Sequence, residues 1–286
     1  MNSRLIFTAA DPSFWELFSE MFYPTLRQYG RYGDDVKVIL FGTHPEHRIR
    51  RFVDAGIALP TAKDLNLNQI WKFEYAAEFQ EQYQEVYYYD CDIWFMAEIQ
   101  PLFDLAEEGV LLACEIARDH CVSDFFSKQG FNERNAMTVS SHLSSGFQRS
   151  IIGGLAGRPI INGGFFGGTE LGRTYRRILS FSKCWREIGF GFDQTILNLW
   201  AYYFPGYVKR VHPRYNTSLM FPSPTLRADE CFRLFLGPEV VVAAHANTAR
   251  SAKEKMAHPY FQSFVQHWRK AEVWQDMRTA GRITNP

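Results

Sequence analysis

The sequence predicts an α/β fold, in which a mostly parallel sheet carries helices on its faces. Short runs of β-forming residues alternate with segments whose apolar residues recur at helical spacing, which is the pattern of βαβ units. The chain of 286 residues is 46% hydrophobic, which is enough for one large core. No internal repeat and no linker rich in Pro or Gly divides it. We therefore expect a single domain over residues 1–286.

Strands and helices alternate most clearly in the first hundred residues. Apolar residues at helical spacing follow the dipeptide Asp11-Pro12, so a helix should begin there. Trp71, Tyr75 and Phe79 form one stripe of a second helix. The predicted elements are a strand over 4–10, a helix from Pro12, a strand over 36–41, a helix over 67–83 and a strand over 86–89.

The rest of the chain continues this pattern around one long polar segment. Residues 118–157 are rich in Ser, Gly and charged side chains. Long irregular segments within a domain are commonly lids or binding loops, so we expect a flexible insertion there. The other predicted elements are strands over 110–115, 159–168 and 240–245, helices over 169–185 and 192–203, and a C-terminal helix within 257–280.

Charge and cysteine content exclude several classes of protein. Lys+Arg and Asp+Glu are equal at 31 each, so no overall field attracts nucleic acid. The five cysteines are odd in number and form no C-x-x-C pair. This argues against a disulfide framework or a zinc knuckle and favours a reducing, cytoplasmic location. We expect neither a signal peptide nor a transmembrane segment, because no apolar stretch is long enough.

Residues 86–95, VYYYDCDIWF, carry the strongest functional signal. Asp90 directly follows a predicted strand, and ligands of open α/β sheets bind beyond the carboxyl ends of the strands. Alternation along extended backbone lets Asp90 and Asp92 project to the same side around Cys91. Two carboxylates so close repel each other unless a proton or a cation is shared between them. The pair therefore predicts a divalent-cation site with positions open to phosphate oxygens.

Several stretches, in the expected order, resemble nucleotide-sugar-dependent glycosyltransferases of the GT-A fold. YYYDCDIWF resembles their D-x-D motif, and FTAAD (7–11) resembles a uridine-binding first strand. INGGFFGGTE (161–170) is similar to the G-G-F-F-G-G run of the blood-group A/B-type transferases. It is also similar to the F-N-x-G stretch of the lipopolysaccharide galactosyltransferase and glycogenin-like family. FDQTILN (192–198) and VVVAAH (240–245) resemble the D-Q-x-x-L-N element and the metal-binding His strand of that second family.

The resemblance spans residues from about 4 to 253 and implies a GT-A (Rossmann-like) domain that binds a metal ion and a nucleotide-diphosphate sugar. Asp90, Asp92 and His245 would hold Mn²⁺ or Mg²⁺, which bridges the diphosphate. Asp193 and Gln194 would lie at the reacting face of the donor sugar. The residues implied to contact the donor, expected to be a UDP-sugar, are Thr8, Ala9, Asp11, Lys72, Asp90, Cys91, Asn162, Gly163 and Gly164.

Most of these positions also have a purely structural interpretation. Asp11 and Asp193 fit helix N-caps. His245 fits a capping or hydrogen-bonded core histidine, and Lys72 fits a solvated lysine on a helix. The two glycines, Gly163 and Gly164, suit a tightly packed strand as well as the close approach of backbone to a ligand.

The chain departs from both resembled patterns. In the lipopolysaccharide galactosyltransferase-like pattern the His begins H-x-x-G-x-x-K, whose Lys contacts the diphosphate. Here HANTARSAK places Thr248 and Ser251 at those Gly and Lys positions, and Arg250 and Lys253 are the nearest cations that can substitute. The H-D-E-S stretch that carries the catalytic Glu of the blood-group type is absent. Gly164 would leave room beside the donor, which in that type favours an N-acetylated sugar.

The sequence thus predicts metal-dependent transfer of a sugar to a hydroxyl acceptor such as a glycan, with residues 118–157 on the acceptor side. Retention of anomeric configuration is expected, because both resembled families retain it. An inverting enzyme would need a general base, for which Glu115 and Asp119 are candidates. Two further classes stay open. One is a sugar-phosphate nucleotidylyltransferase, although TAADPSFW lacks the usual Gly-rich phosphate loop. The other is a non-catalytic carbohydrate-binding protein.

Overall fold

The strands of the protein are short and, in the main, lie in one sheet. The computed structural model describes residues 2–44, 57–58, 70–116, 158–187, 193–220, 223, 225–230, 232–247 and 251–270. The strands are β1 (Asn2–Ala10), β2 (Asp35–Leu40), β3 (Ile57–Ala58), β4 (Tyr83–Tyr89), β5 (Ile93–Phe95), β6 (Leu111–Glu115), β7 (Ile161–Thr169), β8 (Val208–Val211), β9 (Thr217–Ser218), β10 (Leu226–Ala228), β11 (Leu234–Leu236), β12 (Glu239–Val240) and β13 (Ala243–His245).

Helices cover the sheet, and most of them follow a strand in the chain. A π-helical stretch over Leu17–Phe22 leads into the first α-helix. The α-helices are α1 (Tyr23–Gln28), α2 (Trp71–Phe79), α3 (Gln100–Phe103), α4 (Gly172–Glu187), α5 (Asp193–Tyr203), α6 (Ala252–Met256) and α7 (Pro259–Lys270). Short 3₁₀ turns over Pro205–Tyr207 and Pro213–Tyr215 lie on either side of β8.

The central sheet has seven strands in the order β3-β2-β1-β4-β7-β6-β8. Four of its six pairings are parallel, which confirms the predicted α/β fold with a mostly parallel sheet. The exception is β7, which runs antiparallel to both β4 and β6. Because of this reversal, the beginning of β7 lies beside the end of β4, with Phe165 opposite Tyr89.

Apolar side chains pack on both faces of this sheet. Along β1, Ile6 lies in one apolar cluster, whereas its neighbours Leu5 and Phe7 lie in the other. The same alternation places Tyr87 and Tyr88 of β4 in opposite clusters. Strands that are buried on both faces are typical of parallel sheets, and they hold the loops at the strand ends on a rigid support.

A second sheet, in the order β5-β13-β9, joins the segment after β4 to the late part of the chain. His245 pairs with Ile93 in the antiparallel register of β13 and β5. The N–H of Ala246 donates a hydrogen bond of 2.9 Å to the backbone oxygen of Asp92. His245 and Ile93, which are 152 positions apart in the chain, are thereby brought side by side.

Several predicted boundaries are wrong, and three of them have a clear local cause. The helix predicted over 67–83 ends at Phe79, because Tyr83 already pairs with Asn2 as the first residue of β4. The strand predicted over 240–245 divides into β12 and β13, because the N–H groups between them donate to Leu234 and Arg214. Helical structure begins near Trp15 and not at Pro12, since Asp11 first closes a turn.

Some expectations concern residues that the structure does not describe. The insertion at 118–157 lies outside the described residues, as do residues 271–280 of the predicted C-terminal helix. Within the described part of that helix, α7 spans Pro259–Lys270. Across the described ranges, no helix combines the length and the apolar character needed to cross a membrane.

Candidate active site

A cavity of about 540 Å³ opens at the carboxyl ends of β1 and β4. Its wall is built from the segments that the sheet brings to this edge. These are the end of β1, the first turn of α2, the residues that follow β4, the start of β7, the first turn of α5, and the end of β13 with Lys255 of α6. This is the edge at which ligands of open α/β sheets bind.

Asp90 and Asp92 lie on the wall of this cavity and face His245. The N–H of Asp90 donates a 2.9 Å hydrogen bond to the backbone oxygen of Gly164, which fixes the loop after β4 against β7. Asp90 Oδ2 lies 3.5 Å and Asp92 Oδ1 lies 3.1 Å from His245 Nε2. The side chain of Asp92 is buried, whereas that of Asp90 is 26% exposed. The structure therefore brings the three predicted metal ligands together.

The donor set of this cluster fits a divalent ion. The ligand atoms of Asp90, Asp92 and His245 all lie within 4.8 Å of one another. Neighbouring ligands of an octahedral ion with bonds of about 2.1 Å are about 3.0 Å apart, which the two distances to His245 Nε2 approach. Carboxylate oxygens suit Mg²⁺ and Mn²⁺. These residues can therefore hold the predicted ion, although they do not select between the two metals.

Lys72 is buried between two carboxylates. Its Nζ donates hydrogen bonds of 3.0 Å to Asp90 Oδ1 and 2.7 Å to Asp193 Oδ2. Burial alone would lower the pKa of Lys72, but Asp193 and Asp90 outweigh burial and raise it above the usual lysine value. The alternative of a solvated lysine is wrong, because the ammonium group is enclosed and charged.

Asp193 and Gln194 form the first turn of α5 on the cavity wall. Burial raises the pKa of Asp193 above its ordinary value, although Lys72 acts in the opposite direction. Gln194 Oε1 accepts a 3.3 Å hydrogen bond from the N–H of Gly163. Gln194 Nε2 is buried and has no hydrogen-bond partner among the described residues. A buried amide donor beside a cavity is a group that a bound ligand can satisfy.

The glycines of β7 let the other groups of the site approach one another. A Cβ on Gly163 would lie 3.0 Å from Asp193 Oδ2, and one on Gly164 would lie 2.4 Å from His245 Cε1. The space beside Gly164 is thus filled by candidate metal ligands. Our interpretation of Gly164 as room for a larger donor sugar is wrong for this reason. Asn162, two residues before Gly164 in β7, also contacts the imidazole: its Nδ2 lies 3.3 Å from His245 Nδ1.

Lys255 is a site residue that the sequence analysis missed. Its Nζ donates a hydrogen bond to Asp92 Oδ2. Burial would raise the pKa of Asp92, but His245 and Lys255 hold it well below its usual range. Lys253, which we expected as a substitute cation, is exposed, and Arg250 lies outside the described residues. A signal was present, because Ser251 caps a helix in which Lys255 shares a face with Ala252.

Of the residues at the end of β1 and after β4 that were predicted to contact the donor, some line the cavity and one does not. Ala9 and Asp11 line the cavity, and so does Cys91, whose thiol has a pKa raised by burial. Asp11 Oδ1 accepts from the N–H groups of Ser13 and Phe14, so this side chain closes the turn before the helix and is not the N-cap of a helix that begins at Pro12. Thr8 is fully buried within β1 and is not part of the cavity wall, and its hydroxyl has no hydrogen-bond partner among the described residues.

The sequence analysis gave no role in the site to several other wall residues. Their side chains are mainly apolar or aromatic, and pattern alone assigns such residues to the core. They are Phe14, Phe41, Trp71, Tyr88, Ile116, Met220 and Asn247. Glu115, the described candidate for an inverting base, is not among the wall residues. It lies 3.6 Å from Arg210 in an ion pair. Asp119 lies outside the described residues.

Solved structures with a similar fold are glycosyltransferases. Known protein-family models and curated protein sequences give no match to the chain. The bifunctional glycosyltransferase WbbM superposes with a TM-score of 0.56 at 10% identity, over 93% of this chain and 52% of WbbM, so the chain spans about half of its length.

The galactosyltransferase LgtC, in complex with donor and acceptor sugar analogs, superposes with a TM-score of 0.54 at 16% identity, over 95% of this chain and 99% of LgtC. An active-site mutant of LgtC gives a TM-score of 0.55 at 16% identity, over 98% of this chain and 100% of that one. At such identities the likeness concerns the fold. The chain has the GT-A fold of these glycosyltransferases, as its motifs predicted.

Proposed function

We propose that this protein is a glycosyltransferase that moves a sugar from a nucleotide-diphosphate sugar to a hydroxyl acceptor. One observation carries the proposal. The metal-ligand cluster of Asp90, Asp92 and His245 lies on the wall of the same cavity as Asp193 and Gln194. A diphosphate needs cationic stabilisation when it leaves, and a reacting sugar needs polar groups placed nearby. The GT-A neighbours, LgtC with its donor and acceptor analogs among them, support the same conclusion.

We further propose a UDP-sugar as donor and Mn²⁺ or Mg²⁺ as cofactor. Asp90, Asp92 and His245 would hold the ion, which supplies positive charge to the leaving diphosphate. Ala9, Asp11 and Cys91 lie on the cavity wall where the nucleoside is expected. The cytoplasm as location, the single domain over 1–286 and an acceptor-side role for 118–157 stay predictions.

Asp193 and Gln194 would act on the donor sugar. Lys72 holds the Asp193 carboxylate in place by a 2.7 Å ion pair, so that this group can stabilise positive charge at the anomeric carbon. Gln194 Nε2, which has no hydrogen-bond partner among the described residues, can donate to a sugar oxygen. No general base is required of these two residues, and we propose retention of configuration. Glu115 is a poorer candidate for an inverting base because it pairs with Arg210 outside the cavity wall.

A panel of nucleotide-sugars tests the proposal. Slow hydrolysis of one UDP-sugar should appear only when Mn²⁺ or Mg²⁺ is added. Asp92→Asn and His245→Ala should each lower this rate at least about a hundredfold, since they remove candidate ligands, whereas the exposed acid variant Glu78→Gln should not. Metal-dependent UDP binding without turnover of any donor would favour the non-catalytic binding protein. Equal rates with and without metal would contradict the metal assignment.

The anomeric configuration of the product tests retention once a donor and an acceptor are known. Nuclear magnetic resonance of the product should show the configuration of the donor. Asp193→Ala should abolish transfer, and Glu115→Ala should leave it within a few fold of the wild type. An inverted product together with an inactive Glu115→Ala variant would rule out our choice.

A further inference from the structure

The two candidate metal-binding aspartates are each hydrogen-bonded to a different lysine. Asp90 Oδ1 accepts from Lys72 Nζ at 3.0 Å and from Tyr88 Oη at 2.5 Å. Asp92 Oδ2 accepts from Lys255 Nζ. The remaining oxygen of each carboxylate is the one near His245 Nε2, at 3.5 and 3.1 Å. Each aspartate therefore gives one oxygen to a lysine and turns the other toward the candidate ion position.

Both lysines are fixed in these contacts by burial. The side chains of Lys72 and Lys255 are only 2% and 9% exposed. An ammonium group so enclosed is costly unless it is paired, so Lys255 cannot leave Asp92 without finding another partner. Lys72 is held at Asp90 by its second ion pair, in which Nζ lies 2.7 Å from Asp193 Oδ2. The two lysines approach from different elements, Lys72 from the first turn of α2 and Lys255 from α6. The pairings therefore hold the aspartates from two sides.

We propose that Lys72 and Lys255 are positioning residues that keep Asp90 and Asp92 as one-oxygen ligands of the metal ion. This inference rests on the proposed function, because it concerns the same site. A free carboxylate can bind an ion through both oxygens. A carboxylate with one oxygen bonded to an ammonium group offers only the other, which leaves coordination positions for phosphate oxygens.

The pairings also set the charge that the ion presents to its substrate. Asp90, Asp92 and Asp193 carry three negative charges when ionised, and the two lysines carry two positive charges. The group has a net charge of about −1, and with a divalent ion it becomes about +1. The diphosphate of the donor then meets a positive site. Without the lysines the three carboxylates and the ion would together carry a charge of about −1, which repels a diphosphate.

Co²⁺ is a suitable probe, because its visible absorption reports the number and arrangement of its ligands. Lys255→Met should shift the absorption bands of bound Co²⁺, since Asp92 gains a free second oxygen. Lys255→Arg restores a cationic donor and should keep the wild-type spectrum. Lys253→Met is the matched control on the same helix, where Lys253 is exposed, and should also leave the spectrum unchanged. Circular dichroism of the metal-free variants checks that they are folded.

Reductive methylation of the lysines, located by peptide mass mapping, is the second measurement and needs only the wild-type protein. Lys255 should be protected with and without Co²⁺, whereas Lys253 should react in both. Exposure of Lys255 on addition of Co²⁺ would show that the ion displaces the lysine and would overturn the proposal. An unshifted Lys255→Met spectrum with Co²⁺ bound would overturn this inference alone. Failure of the wild type to bind Co²⁺ would overturn the metal assignment together with it.

Discussion

Gly164 is the residue on which the packing of the candidate metal ligands depends most directly. A side chain there would meet His245 Cε1 at 2.4 Å and Asp90 Oδ2 at 2.9 Å. Real Cβ atoms do not approach other atoms so closely, so either the imidazole or the carboxylate would have to move. The close packing of His245 and Asp90 thus requires glycine at this position, whether or not a substrate is bound in the cavity.

Gly164→Ala should therefore weaken metal binding while leaving most of the fold intact. We expect the affinity for Mn²⁺ to fall at least about tenfold, or about 1.4 kcal/mol, because the ligand atoms can no longer meet at one point. Titration calorimetry measures this change. Gly206→Ala is the control, since in the described part of the chain no atom other than those of its two chain neighbours lies within 4 Å of a Cβ at that position. Wild-type affinity in Gly164→Ala would contradict the role given to this glycine.

Single residues also show where sequence reasoning succeeds and where it fails. Asp90 and Asp92 could be predicted from pattern, because acidic side chains at the end of an apolar strand are unusual and costly without a partner. His245 was predicted through the family resemblance. Lys255 could not be placed in the same way. A lysine on a short polar helix is usually solvated, and its burial depends on the contact of α6 with the loop after β4. The face that Lys255 shares with Ala252 is a local sign of this burial, but it does not reveal the contact with Asp92.

At the scale of elements, Asn198 joins α5 to β7. Its Oδ1 accepts a 2.9 Å hydrogen bond from the N–H of Ile161, and its Nδ2 donates to the backbone oxygens of Ile161 and Gln194 at 2.9 and 2.7 Å. The side chain is buried. The amide satisfies the backbone N–H and C=O groups of Ile161, the first residue of β7, as a neighbouring strand would. It thereby sets the position of the helix that carries Asp193.

Removal of this amide should be costly both to stability and to activity. Asn198→Ala leaves the buried N–H and C=O groups of Ile161 without these partners, and we expect the free energy of unfolding to fall by about 2 to 3 kcal/mol. Urea denaturation measures the loss. Asn198→Asp keeps the acceptor for the N–H but sets a buried carboxylate against the carbonyl oxygens of Ile161 and Gln194, so it should lose at least as much stability as Asn198→Ala does. Equal stability of Asn198→Ala and the wild type would show that α5 is held by its apolar face alone.

The direction of β7 is the feature of the elements that the sequence did not reveal. The run INGGFFGG has no polar side chain except that of Asn162, so its periodicity and composition predicted a buried strand but not the direction of that strand. Antiparallel pairing with β4 is what places Asn162, Gly163 and Gly164 against Asp90. Strand direction depends on how the chain returns to the sheet, and this return passes through residues 117–157, where no pattern was regular.

At the scale of the whole molecule, the candidate site collects groups from most of the chain. Lys72, Asp90, Asp193, His245 and Lys255 come from five separate segments that meet at one edge of the sheet. These segments could be predicted to meet because the motifs occur in the same order as in GT-A glycosyltransferases, whose fold brings them together. Composition and periodicity alone predicted only an α/β sheet with a ligand at its carboxyl edge.

A ligand that binds groups from so many segments should stabilise the molecule as a whole. Mn²⁺ and UDP together should raise the melting temperature more than the sum of their separate effects, because the diphosphate would complete the coordination of the ion. At a ligand concentration of 100 times Kd the stabilisation is about 2.7 kcal/mol, which for a chain of this size corresponds to about 5 °C. Differential scanning calorimetry measures the shift. Asp92→Asn should lose the joint effect and Glu78→Gln should keep it, whereas a purely additive shift in the wild type would mean that the ion and the nucleotide do not share a site.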